Sequence, residues 1–208
     1  MIKIYGSPLT SSGRCFWMLE EAGVAYEQDP LSMREGQHKS PEYLAINPNG
    51  KVPTLVDNGL VIWESMAITQ YLADKYKPEL IPDTPEQRSQ VNQWSYWSIV
   101  DLQPPLIDIL IQTQFVPEKR RNLALLEKAQ TIIPSRLQML DDQLKKVPFV
   151  TGDDFTIADL NVASVVGICQ MVKIDLKPYA GITLWLEKIS QRPGFQKFLE
   201  LQKAAQGQ

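Results

Sequence analysis

Four short clusters in the chain carry residue types that chemistry uses. The first, Ser7-Pro8-Leu9-Thr10-Ser11-Ser12-Gly13-Arg14, is a hydroxyl-rich turn between a strand-like run and a helical one. Backbone N–H groups at a helix start favour an anion, and a neighbouring hydroxyl can donate to it. The same hydroxyls serve equally as N-caps. The second cluster, Asn47-Pro48-Asn49-Gly50-Lys51-Val52-Pro53, sets turn residues ahead of a proline at a strand start. It reads as an edge feature, or as a cis Val52–Pro53 bond turning the Val52 N–H and C=O toward a peptide-like ligand. The third, Glu64-Ser65, places a carboxylate and a hydroxyl where a strand becomes a helix. That pair suits a ligand with both an amine and a carboxylate, or simply caps the helix. The fourth, Gly36-Gln37-His38-Lys39-Ser40-Pro41, is a polar loop with one cation and one imidazole, an exposed connection by default.

The elements that must position these clusters follow from periodicity. Ile2 to Tyr5 is a short strand, stopped by Gly6-Ser7-Pro8. Arg14 to Gly23 is helical, with apolar residues at mixed three- and four-residue spacing and Gly23 as the stop. Val24 to Asp29 is a second strand. Pro53 to Val56 and Leu60 to Trp63 flank Asp57-Asn58-Gly59, a hairpin signal, and Glu64 to Tyr76 is helical. Strand, helix, strand, irregular helix, hairpin, helix implies an α/β layer with a mixed sheet. Lys77 to Pro85, with three prolines, is the expected linker. Beyond it the pattern is all-helical: Glu86 to Gln114 interrupted near Pro104-Pro105, then an amphipathic Glu118 to Lys146 with Pro134 inside. A buried helix opens with Thr156-Ile157-Ala158-Asp159, and two short helices run near Ile182 to Gln191 and Gly194 to Lys203.

Composition sets the limits. The chain has 208 residues, 44% hydrophobic and 22% charged, enough to build a sizeable core. Its net charge of −3 is unlike the basic footprint of a nucleic-acid binder. No apolar run approaches the roughly 20 residues of a membrane span, and the start carries no secretory pattern. A soluble, cytoplasmic protein is expected, with neither nucleic-acid nor membrane partners. Cys15 and Cys169 form no metal-ligand pattern and His38 is the one histidine, so neither a disulfide nor a metal site is expected.

Together, in this order and on this scaffold, the clusters resemble the cytosolic glutathione transferase family. Gly152 and Phe155-Thr156-Ile157-Ala158-Asp159 extend the resemblance over nearly the whole chain. The loop at Gly36 to Lys39 and Gln103-Pro104-Pro105 look like the serine-type phi and theta-like classes, with a bacterial member expected. The resemblance implies a thioredoxin-like α/β domain over residues 1–77 that binds glutathione as cosubstrate. It implies an all-helical domain over residues 86–208 and a homodimer. Glu64 and Ser65 would hold the γ-glutamyl group, and the Val52 backbone would pair with the cysteinyl part. Pro53 would be the cis proline, and Lys51, His38 and Lys39 would face the glycyl carboxylate. In serine-type members the activating hydroxyl lies four residues before the arginine at the Arg14 position. Here that residue is Thr10, followed by Ser11 and Ser12; Thr10 is favoured, with Ser11 second.

The activity implied is attack of the glutathione thiolate on a small hydrophobic electrophile, as in detoxification. A free thiol with pKa near 8.5 needs about 2.7 kcal/mol to fall by about two units. A hydroxyl hydrogen bond to the charged sulfur supplies about 1.5–3 kcal/mol, and a helix N-terminus adds about 0.3–1. No general base is required. A redox member would place a cysteine in the turn, whereas Cys15 lies past Arg14, inside the helix. The electrophile pocket is expected between the domains. Leu9, Trp94, Trp97, Asp101, Pro105 and Ile109 are candidates that read also as core or dimer contacts. The rival readings are a glutathione-dependent isomerase and a non-catalytic binding protein on the same fold.

Overall fold

The computed structural model describes residues 1–207. The chain divides into two compact units: residues 1–80 with 190–208, and residues 81–189. In the first, β1 (Ile2–Tyr5), α1 (Gly13–Ala22) and β2 (Tyr26–Asp29) form a parallel strand–helix–strand start. A short helical turn at Gln37–Lys39 leads to α2 (Pro41–Leu44). The hairpin of β3 (Thr54–Asp57) and β4 (Leu60–Trp63) follows, then α3 (Ser65–Tyr76). The four strands lie in the order β2-β1-β3-β4, with β3 antiparallel to both neighbours. Asn58 and Gly59, at φ 49° and 87°, make the tight hairpin turn.

Helix α1 explains its own irregular spacing. It is buried nearly all round, so no single apolar stripe shows. Phe16 packs edge-on against Tyr26 of β2, while Trp17 turns the other way. There it meets Phe195 and Phe198 of the last helix, Pro193–Gln206.

In the second unit, α4 (Pro85–Trp97) is continued by one wide turn, Ser98–Leu102, into α5 (Gln103–Gln114). Pro104 and Pro105 lack the N–H groups a helix needs. The chain accommodates them just upstream, where the Gln103 N–H reaches five residues back to Ser98 O. Helix α6 (Leu123–Leu144) carries Pro134 within it and starts later than Glu118, which lies in a separate short turn. Helices α7 (Ile157–Val166), α8 (Ile168–Met171) and α9 (Ala180–Ser190) complete the unit. Helix α7 is almost wholly buried. Its capping box is as the spacing predicts, with the Thr156 N–H on Asp159 Oδ2 at 2.9 Å. Asp159 also accepts from Val150 N–H at 2.8 Å and Trp185 Nε1 at 2.9 Å, so a carboxylate with no exposed surface ties three segments together.

The last helix, α10 (Pro193–Gln206), departs from the expected single helical domain over 86–208: it belongs with residues 1–80. The cause is long-range packing. Glu21 accepts a paired bond from Arg192, Nε to Oε1 at 2.9 Å and Nη2 to Oε2 at 2.7 Å, and a third from Trp17 Nε1 at 3.0 Å.

Candidate functional site

Strand register brings the clusters together. Tyr5 pairs with Thr54, and Thr54 with Trp63, so the ends of β1 and β4 and the start of β3 lie at one end of the sheet. The hydroxyl turn follows Tyr5, Val52-Pro53 precedes Thr54, and Glu64-Ser65 follows Trp63. Three segments more than forty residues apart in part are therefore neighbours.

Side chains close the strip. Arg14 Nη1 donates to Ser65 Oγ at 3.3 Å, joining the start of α1 to the start of α3. The Ser11 hydroxyl donates to Val52 O at 3.2 Å, joining the turn to the approach of β3. The Lys39 ammonium reaches Asn49 O at 3.4 Å, which brings the fourth cluster to the second.

Within the turn Ser12 does not cap the helix, contrary to the capping reading. Ser12 sits at the N-cap position with helical backbone angles and makes no capping bond. The turn already winds toward α1, with Thr10 N–H on Ser7 O, Gly13 N–H on Thr10 O and the Ser12 N–H on the Thr10 hydroxyl at 3.2 Å. The Thr10 hydroxyl donates to Ser7 O at 2.9 Å and lies 3.1 Å from Ser12 Oγ. Thr10 and Ser11 are both exposed, while Ser12 is buried.

The Val52–Pro53 bond is cis. The Val52 N–H has no partner among the described residues, while its carbonyl receives Ser11. The loop before it is held from below by a buried polar group that sequence reading missed. Tyr43 and Asn47 both donate to Lys51 O, at 2.6 and 2.9 Å, and both contact Thr54 Oγ1. An Asn-Pro-Asn-Gly run signals a turn, but its downward-facing amide is invisible without the partner strand. Gly50 is required here: a Cβ would lie 2.8 Å from Lys39 Nζ and 2.9 Å from His38 O.

Glu64 is not a cap either. Its side chain makes no capping bond, and its backbone holds φ 72° and ψ 117°, a left-sided conformation costing about 1–3 kcal/mol for a residue with a side chain. Such strain collects where a side chain must be aimed. Lys39 and Lys51 are exposed and have no acidic partner among the described residues, and His38 Nδ1 is shielded without a hydrogen-bond partner. The strip thus presents uncompensated cations at one end and a free carboxylate at the other.

The chain's own thiols take no part. Burial pushes both Cys15 and Cys169 up to about 12, so neither is a nucleophile at neutral pH.

Matches to known proteins run along most of the chain. Residues 2–74 match the model of the glutathione S-transferase N-terminal domain, and residues 102–193 that of the C-terminal domain. The chain belongs to the glutathione S-transferase family. It is 32% identical to "Glutathione S-transferase 4" of Zea mays, covering 99% of this chain and 95% of that one. It is 36% identical to "Probable glutathione S-transferase GSTF2" of Oryza sativa subsp. japonica, covering 97% of each. Among solved structures it is similar to a theta class glutathione S-transferase from Xanthomonas axonopodis pv. citri with glutathione bound. That likeness has a TM-score of 0.87 and 32% identity, covering 94% of this chain and 95% of the other. The curated glutathione S-transferases named here are plant proteins, and they give the expected bacterial source no support.

Of the six candidates for an electrophile pocket, four line two grooves of the second unit. Trp94 and Trp97, in edge contact at 5.1 Å, line a groove of 430 Å³ with Met139 and Gln143 of α6. Asp101 and Pro105 line another of 240 Å³, with Arg136 3.6 Å from Asp101. Ile109 is buried, and Leu9 is exposed in the first unit. Both grooves lie in the second unit, along α4, α5 and α6. No helix among the described residues is long and apolar enough to cross a membrane.

Proposed function

We propose that this glutathione transferase conjugates the glutathione thiolate to small hydrophobic electrophiles, in the manner of serine-type phi and theta-like enzymes, as a cytoplasmic homodimer. The observation that carries the reading is the closed strip from Ser65 through Arg14, Ser11 and Val52 to Lys39. Its polarity matches the tripeptide. The Glu64 carboxylate and Ser65 hydroxyl meet the γ-glutamyl amine and carboxylate, and the unpaired Val52 N–H meets the cysteinyl carbonyl. Pro53 turns that backbone toward the ligand. Lys51, Lys39 and His38 take the glycyl carboxylate.

The cysteinyl sulfur then lies by the hydroxyl turn at the start of α1. Thr10 is the favoured donor: its hydroxyl leaves Ser7 O and donates to the sulfur, exchanging a neutral bond for a charge-assisted one worth roughly twice as much. Ser11 is second: it lies three residues before Arg14 rather than four, and its hydroxyl already closes the strip on Val52 O. The thiolate attacks the electrophile's carbon, the leaving group departs with the displaced electron pair, and the thiol proton passes to solvent. Exposed Leu60, Val61 and Trp63 on β4 support a second copy as partner.

Titrating glutathione into the protein while following thiolate absorbance near neutral pH tests the reading. Binding with thiolate formation is the expected outcome. Binding without thiolate would reject the hydroxyl mechanism, and no binding at millimolar glutathione would leave the fold put to a non-catalytic use.

A further inference from the structure

We propose that Gln202, near the end of α10, is a positioning residue for the thiolate-stabilising turn, so that the last helix of the chain tunes the first. The inference rests on the reading of Thr10 as the sulfur's donor. Gln202 Nε2 donates to Pro8 O at 3.1 Å, a contact across 194 residues of sequence. Pro8 is buried, and within the turn its carbonyl has no backbone partner; Ser7 O and Thr10 O take the turn's internal bonds. The Pro8 carbonyl belongs to the peptide that enters Leu9, one residue before Thr10. Fixing that plane fixes the direction in which the Thr10 side chain leaves the turn.

The helix is placed for this by its own periodicity. Arg192, Phe195, Phe198 and Gln202 are spaced three, three and four residues apart, one face of a helix. Arg192 holds the Glu21 carboxylate, Phe195 and Phe198 pack on Trp17, and Gln202 reaches the turn. Two glycines allow the approach. A Cβ on Gly194 would stand 2.8 Å from Glu21 Cα. One on Gly13 would stand 2.7 Å from Pro8 O and 3.3 Å from the Phe198 ring. The turn, α1 and α10 therefore meet without slack at Gly13, and a change in Gln202 is felt at Pro8 rather than absorbed.

The test measures the pKa of the bound glutathione thiol, by thiolate absorbance against pH, in Gln202→Met and Gln202→Glu. Both keep the side chain's size and remove its donor. Gln196→Ala removes a comparable bond to Ser190 O elsewhere on α10 and serves as the control. The expected result is a thiol pKa raised by about half a unit to one unit in both Gln202 variants. That corresponds to a threefold to tenfold loss of kcat/KM below the pKa, with glutathione affinity within twofold and no shift in Gln196→Ala. A lowered melting temperature with an unmoved thiol pKa would mean a merely structural bond and would overturn the inference. Thr10→Ala separates the two readings. If it shifts the pKa and the Gln202 variants do not, the positioning role fails alone. If the Gln202 variants shift it and Thr10→Ala does not, the positioning role stands and the donor lies elsewhere in the turn.

Discussion

At the scale of single residues, the site turns on hydroxyls that already have partners. Thr10 differs from serine by a methyl group that restricts its side-chain torsion, yet it presents the same donor. Thr10→Ser should therefore keep kcat/KM within about threefold. Thr10→Ala should raise the bound thiol's pKa by about one unit or more, since a hydrogen bond to a charged sulfur is worth about 1.5–3 kcal/mol. A pH–rate profile checks both, and an unchanged profile in Thr10→Ala moves attention to Ser11. Glu64 shows a different logic. Its strained backbone serves its own carboxylate, so Glu64→Ala should weaken glutathione binding about tenfold in calorimetry while leaving the thiol's pKa nearly unchanged.

At the scale of elements, the hairpin is tied to α3 by Asp57. Its buried carboxylate accepts Lys75 at 2.7 Å, Tyr71 at 2.7 Å and Tyr76 at 2.5 Å. Burial alone would raise its pKa, but the bonds from Lys75, Tyr76 and Tyr71 outweigh it and hold the group at about 2. A carboxyl depressed on folding contributes stability above its unfolded pKa, near 4, and loses it as pH falls toward 2. The shift is worth on the order of 2 kcal/mol, so chemical denaturation should show stability falling between pH 4 and 2. Asp57→Asn should be less stable at pH 7 and flatter across that window. The seam of α1 and α10 is as tight. Gly194→Ala forces a methyl against the Glu21 backbone and should cost about 1–3 kcal/mol by overpacking.

At the scale of the whole molecule, binding should show as stability. Glutathione that occupies the folded chain and not the unfolded one stabilises it by about 2.7 kcal/mol at one hundred times its dissociation constant. Melting in increasing glutathione should raise the transition temperature of the wild-type chain. Glu64→Ala should need correspondingly more ligand for the same rise, and a wild-type temperature that never moves would contradict binding altogether. Such a gain belongs first to the unit of residues 1–80 with 190–208, because that unit carries the whole strip.

Much of this was legible in the amino-acid order because it is local. Ile2 to Tyr5, the Asn58-Gly59 turn, the capping box at Thr156 and Asp159, and the helices after residue 85 are all written within a few neighbours of each residue. The clusters at Thr10, Val52-Pro53 and Glu64-Ser65 were visible for the same reason. What each side chain does there was not. Ser12 looks like a cap and is buried without capping, and Glu64 looks like a cap and is instead strained. The amide of Asn47 looks like turn chemistry and holds up the Lys51 carbonyl. The placing of α10 on α1 had no local sign at all. Glu21 with Arg192, and Pro8 with Gln202, are pairs more than 170 residues apart, chosen by burial and close packing. Sequence determined the elements and the residue types offered at their ends. Only tertiary structure decided which ends meet, because strand register and helix packing are settled by partners that no local window contains.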